Sequence, residues 1–110
     1  MRRNGYKILY RNFRPPRGGE VDIVCRDKRE KTLVFVEVKT RSTLDYGSPS
    51  AAVDLKKQHL ISRGAMAWLR MLNYPEIRFR FDIVEVLVEE GGISIHIVSD
   101  AFQLPDPLVY

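Results

Sequence analysis

The sequence predicts an α/β domain in which a mixed central β-sheet carries one main covering helix. Three observations point there. First, Gly19-Glu20-Val21-Asp22-Ile23-Val24 and Val34-Phe35-Val36-Glu37-Val38-Lys39 are β-branched runs with polar residues at alternating positions, the signature of strands. Second, from Ser50 to Leu72 the residues Val53, Leu60, Ile61, Ala65, Trp68 and Leu72 recur at helical spacing. Third, Ile77, Phe79, Phe81, Ile83 and Leu87 alternate with Arg78, Arg80 and Asp82, which predicts a long strand from Ile77 to Val88. A chain of 110 residues is large enough for one core, so residues 1–110 are expected to form a single domain.

The elements follow in chain order. Gly5 to Phe13 reads as a first, edge strand. Arg14-Pro15-Pro16-Arg17-Gly18-Gly19 must be a loop, because two prolines remove donors and two glycines permit unusual dihedrals. Asp27 to Thr32 has hairpin-loop length and no apolar residue, so the two β-branched runs form an antiparallel hairpin. Thr40 to Gly47 reads as a polar loop. Ser48 is the expected N-cap, with Pro49 at the first helical position. Gly64 weakens the middle of the helix and marks a bend or a close packing contact. Asn73-Tyr74-Pro75 ends it. Glu89-Glu90-Gly91-Gly92 turns the chain into a last strand, Ile93 to Val98, and an irregular tail follows Asp100. The order is β-β-β-α-β-β.

Composition narrows the function classes. Hydrophobic residues make up 45% and charged residues 29%, as in an ordinary globular protein rather than a disordered one. No apolar run reaches membrane-spanning length and no signal-peptide pattern opens the chain, so no membrane partner is expected. Cys25 is the only cysteine, which excludes an intrachain disulfide and argues against a cysteine-based zinc site. A cytoplasmic protein fits these features best. The net charge is +4, and Arg2, Arg3, Lys7, Arg11, Arg14 and Arg17 crowd the start of the chain. Lys56, Lys57, Arg63 and Arg70 recur along the helix. Such clusters suit a phosphate backbone, although a modest positive charge also serves solubility.

The hairpin register carries the chemistry. With the turn centred between Arg29 and Glu30, Asp22 faces Glu37 and Glu20 faces Lys39. Two carboxylates about 5 Å apart repel by roughly 3 kcal/mol at an effective dielectric near 20. A divalent cation between their oxygens would turn that repulsion into attraction, and Mg²⁺ typically binds one or two carboxylates together with phosphate oxygens. A plainer reading stands beside this one: Glu-x-Lys is common on solvated strands, and Asp22 can pair with Arg26 or Lys39. Three carboxylates, Glu20, Asp22 and Glu37, with one lysine among them inside runs of Val, Ile and Phe favour the metal site.

An acid on one strand followed by Glu-x-Lys on the next resembles the PD-(D/E)xK nuclease core of restriction enzymes and Holliday-junction resolvases. More narrowly, Asn12-Phe13-Arg14, Gly19-Glu20-Val21-Asp22, Val34 to Arg41, Phe81-Asp82 and Ala101-Phe102 resemble the bacterial YraN family of small, largely uncharacterised endonuclease-like proteins. The resemblance covers Gly5 to Phe102. It implies a restriction-endonuclease-like core and an Mg²⁺- or Mn²⁺-dependent nuclease that acts on DNA, branched or damaged forms included. Asp22, Glu37 and the Val38 carbonyl would be metal ligands, and Lys39 the catalytic lysine. Glu20 and Gln58 would lie just outside; His59 is read as a bystander and His96 as structural. Arg14, Arg17, Arg41, Lys56 and Lys57 are the candidate nucleic-acid contacts. Family members normally open with a helix ahead of the Gly-Tyr segment; here Gly5-Tyr6 stands almost at the start. The core is therefore expected without that helix, with a second copy of the chain covering the sheet face. A non-catalytic nucleic-acid-binding domain on the same fold is the alternative.

Overall fold

The computed structural model describes residues 5–42, 53–73 and 75–105. Strands β1 (Tyr6–Phe13), β2 (Val21–Asp27) and β3 (Thr32–Ser42) precede helix α1 (Leu55–Met71), and β4 (Arg78–Glu89) and β5 (Gly92–Phe102) follow it. They form one five-stranded sheet in the order β1-β2-β3-β4-β5. All neighbours are antiparallel except β3 and β4, which run parallel from Thr32↔Arg78 to Ser42↔Val88. A parallel pair needs a crossover, and α1 lies within it. The mixed sheet with a single helix is the architecture that the sequence predicts.

The β2–β3 hairpin has the expected register, Ile23↔Val36 through Asp27↔Thr32. Its turn is held by Asp27, whose Oδ1 accepts the backbone N–H groups of Arg29 at 3.0 Å and Glu30 at 3.3 Å. An acid that hydrogen-bonds its own backbone two residues on is a turn former.

Three boundaries differ from expectation. Thr40, Arg41 and Ser42 are strand rather than loop, because β4 supplies parallel partners at Val86, Leu87 and Val88. The last strand runs on to Phe102, past a register shift between Phe81 and Ile83. The helix starts at Leu55, later than a cap at Ser48 would put it; Ser48 and Pro49 lie outside the described residues. Asp54 is the N-cap, and its Oδ1 accepts the Lys57 N–H at 2.8 Å, which satisfies a donor that would otherwise lack a partner. The helix closes at Leu72, followed by Asn73 at φ 58°, a left-handed position that asparagine tolerates.

Alternation sorts the sheet into two faces. On one, Ile61, Ala65 and Leu69 of α1 pack on Phe13, Val21, Val24, Leu33, Phe35 and Phe81. Phe13 and Trp68 meet edge to face at 5.3 Å, a favourable aromatic geometry that packs the partly buried Trp68 against this core. On the other face Cys25, Val34, Val36 and Val84 form a second apolar cluster that α1 does not touch. Cys25 is fully buried there, and burial pushes its thiol up to about 12, so it stays protonated and inert. Beside it Arg80 joins Asp82 at 3.0 Å, Asp27 at 3.3 Å and Glu30 at 2.7 Å. Toward β5 this face opens, and Val88, Ile93, Ile95 and Ile97 are exposed.

The helix sits unusually close to the segment that leads into β2. Glu20 N–H donates to the Leu60 carbonyl at 3.0 Å. A Cβ on Gly64 would stand 2.8 Å from Val21 Cγ2 and 3.0 Å from Glu20 backbone atoms, and one on Gly19 would stand 2.4 Å from the Gly64 nitrogen. Gly64 is therefore a packing glycine. Replacing it with alanine gains up to about 1 kcal/mol in helix propensity but overpacks a rigid backbone contact at about 1–3 kcal/mol. Gly64→Ala is thus expected to lower the urea midpoint, and an unchanged or higher midpoint would show that this contact has slack.

Candidate functional site

The carboxylates gather where β2, β3 and the first turn of α1 meet. Strand pairing is recorded as far as Ile23↔Val36; one step further along the same register brings Asp22 opposite Glu37. There the Asp22 side chain takes over from the backbone, its Oδ2 accepting the Val38 N–H at 2.8 Å. Val38 thus meets Asp22 through its N–H.

Glu37 lies on the helix-covered face in register with Phe35, so α1 buries it to 7% exposure. The β-branched Val36 and Val38 face the second cluster instead, and Glu37 lies under the helix. Burial is the largest cause that raises the Glu37 pKa, to about 7; the neighbouring charges of Asp22 and Glu20 add to it, and Lys57 opposes it. Glu37 Oε2 is buried with no hydrogen-bond partner.

Two cations of the chain already touch these acids. Lys57 Nζ makes a close ion pair with Glu20 Oε1 and lies 3.5 Å from Glu37 Oε1. Arg14 reaches Glu20 Oε2 at 3.6 Å and Asp22 Oδ1 at 3.3 Å, while its Nη1 donates to the Phe13 and Val21 carbonyls. Both residues were expected to contact nucleic acid; in this structure both neutralise carboxylates. The late start of α1 explains Lys57, since only a helix capped at Asp54 puts it in the first turn beside Glu20.

Lys39 is half-buried and lines a cavity of about 270 Å³ with Glu37, Val53, Asp54 and Lys57. Gln58 Nε2 donates to the carbonyl of Val53, a cavity-lining residue, at 3.0 Å, because the fourth helical residue folds back over the start of the helix. Arg17 is exposed, and its carbonyl accepts from Arg63. Lys56 is exposed on the helix, and Arg41 stands in β3 opposite Leu87. His96 is exposed on β5.

Sequence reasoning missed Glu85. Parallel pairing sets it opposite Lys39, in register with Phe81 and Ile83 on the helix side, and it is 3% exposed with Oε2 unpartnered. The available signal was an acid inside Ile83-Val84-Glu85-Val86, but its neighbour depends on the β3–β4 register. Asp82 lies on the opposite face, fully buried against Arg80.

The donor set suits an open metal site rather than a closed cage. Among the described residues no three His, Cys, Asp or Glu side chains are grouped to enclose an ion. Mg²⁺ needs only one or two carboxylates, however, and the orphaned Glu37 oxygen beside Asp22 is a fitting donor.

Residues 1–86 match the profile of an uncharacterised protein family, UPF0102. A UPF0102 protein of Trichlorobacter lovleyi is 50% identical over 103 residues, covering 93% of this chain and 80% of that protein. One from Pelobacter propionicus is 48% identical over 101 residues, covering 91% and 71% respectively. One from Geobacter sulfurreducens is 47% identical over 105 residues, covering 94% and 80%.

The raised pKa of Glu37 gives a pH signature. Between its ordinary 4.5 and about 7 the folded state binds more protons than the unfolded one. Stability of the metal-free protein should therefore fall as pH rises through that window, by on the order of 3 kcal/mol in total. Urea midpoints measured in EDTA from pH 4.5 to 8 should show this decline, and Glu37→Gln should flatten it. An equally steep decline in the variant would assign the effect to other groups.

Proposed function

The chain belongs to the uncharacterised family UPF0102, and we propose that its carboxylate cluster is the centre of a divalent-metal-dependent nuclease that hydrolyses phosphodiester bonds of DNA. The observation that carries this reading is the buried, unpartnered Glu37 Oε2, set across the hairpin from Asp22 and beside the cavity that Lys39 lines. Asp22 and Glu37 would hold Mg²⁺ or Mn²⁺, with the Val38 carbonyl completing the protein's share. Such a cation, when bound, lowers the pKa of its water and neutralises charge on the scissile phosphate.

The chain's own residues do the rest. Asp22 is held in place by the Val38 N–H and by Arg14, so one oxygen direction is fixed before any ligand arrives. Lys39, at the cavity wall, orients the attacking water or stabilises charge that develops on the phosphoryl oxygens. Glu20 carries no ligand role in this scheme; it tethers Arg14 and Lys57 beside the metal-binding acids. Arg17, Arg41 and Lys56 supply backbone phosphate contacts, which position a nucleic acid without reading its sequence.

A second reading has an observation of its own. Because Lys57 and Arg14 already compensate the acids, the cluster is electrostatically tolerable without a metal. A nucleic-acid-binding domain that keeps the fold and does not cut meets that condition as well. Calorimetric titration of Mn²⁺ into wild type and Glu37→Gln, with cleavage of a branched DNA by both, separates the two. Uptake and cutting that both vanish in Glu37→Gln uphold the nuclease, and DNA binding without metal uptake or cutting replaces it by the binding domain.

Ile93, Ile95 and Ile97 on edge strand β5 give the open sheet face a contiguous apolar stripe with Val88. We propose a second copy of the chain as its cover, through a two-fold contact in which the same patch serves both protomers. Sedimentation velocity should give a dimer that Ile95→Lys converts to monomer. A monomer mass for the wild type at all concentrations would overturn the pairing.

A further inference from the structure

The cation that stands between Glu20 and Glu37 is part of the chain. Lys57 Nζ is the one group among the described residues recorded in ion pairs with both acids, and it reaches them from a different element. Its backbone is pinned in the first helical turn, where the Lys57 N–H is held by the Asp54 cap. Its ammonium is held by side chains alone, closely by Glu20 and at 3.5 Å by Glu37, and the side chain is 34% exposed at the rim of the cavity that Glu37 and Lys39 line. The grip on Glu37 is also one-sided, because Lys57 approaches Oε1 while Oε2 stays unpartnered.

We infer that Lys57 is a resident counter-ion that competes with a divalent cation for these carboxylates, so that loading the metal releases the lysine from Glu37. The inference rests on the metal-site reading above and adds a regulation to it. A lysine ammonium is a compact point charge on a flexible stem, able to satisfy the acids when the metal is away and to swing aside when it arrives. A part-exposed ion pair contributes little, so the exchange is cheap enough to be reversible at ordinary cation concentrations. Arginine would be a poorer occupant, since its planar fork favours a fixed bidentate grip. Once released, the ammonium remains at the cavity rim, where an incoming phosphate oxygen replaces the carboxylate as its partner. The metal-free Glu37 thereby keeps a counter-charge, and the part of the lysine's charge that it held becomes available for substrate only after the cation is in place.

The test uses binding rather than cleavage. Mn²⁺ is titrated calorimetrically into the full chain as wild type, Lys57→Met, Lys57→Gln, Lys57→Arg and Glu37→Gln. Removing the competitor should tighten uptake by roughly two- to tenfold in Lys57→Met and Lys57→Gln, the range open to an ion pair of this exposure. Lys57→Arg should bind no more tightly than wild type. In wild type alone, the Lys57 ε-methylene resonance should shift on addition of diamagnetic Mg²⁺ and should not shift in Glu37→Gln. Equal or weaker binding in both neutral variants would overturn the competition while leaving the metal site standing. The same holds if the ε-methylene stays unmoved at saturating Mg²⁺. If wild type and the neutral variants take up no cation, or if Glu37→Gln binds as they do, the metal-site reading itself fails and this inference with it.

Discussion

Much of this molecule depends on one contact between backbones. Gly19 and Gly64 allow α1 to approach the start of β2 so closely that a methyl group on either side would collide, and the Glu20 N–H bonds directly to the Leu60 carbonyl. Two consequences follow from the same approach. The apolar stripe of Ile61, Ala65 and Leu69 closes over Phe35 and Phe81, which builds the main core. The first turn of the helix, two turns before Gly64, is set beside Glu20 and Glu37, which brings Lys57 to the acids. Core packing and the chemistry of the site are therefore coupled through a single docking geometry.

The two faces of the sheet treat buried charge differently. Around Arg80 the pairing is saturated: the guanidinium meets Asp82, Asp27, Glu30 and the Tyr6 hydroxyl, and Asp82 also accepts the Asp100 N–H at 3.0 Å. Against the upward push of burial, the N–H groups of Glu30 and Arg29 and the Arg80 side chain hold the Asp27 carboxyl below its usual range. Such a network has the character of a structural strut, costly to break and with nothing left over. Under the helix the account is left open. Glu37 and Glu85 each bury an oxygen with no hydrogen-bond partner, and the pKa of Glu37 rises toward neutrality. Among the described residues, the buried carboxylate oxygens without a partner thus lie under the helix, on the face of the proposed site, and not around Arg80.

The compensation of the acids also bears on how the site is understood. Two facing carboxylates in an apolar hairpin require positive charge from some source, and that requirement can be met by an ion or by the chain. Arg14 and Lys57 meet it here. Both belong to basic clusters that, read as composition, look like a surface for phosphate. A basic residue's role is set by its nearest acid, and that neighbour lies far away in sequence: Lys57 is 37 residues from Glu20.

By itself, the sequence determined what depends on local periodicity and turn chemistry. The strand alternation, the hairpin register that sets Asp22 against Glu37, the helical stripe and the order of elements were all legible, because each is decided by neighbours a few residues apart. The packing role of Gly64 was half legible: a glycine inside a helix signals a reason without naming the partner. Tertiary structure decided the remainder. It started α1 at Leu55 behind the Asp54 cap, continued β3 to Ser42 along β4, and brought Glu85 beside Lys39 through a parallel register with no turn to announce it. It also bonded Gln58 to the Val53 carbonyl and brought Lys57 to Glu20 and Glu37. Those outcomes rest on which surfaces α1 and β4 bury against β3, a choice made by the packing of the whole domain rather than by any one stretch of it.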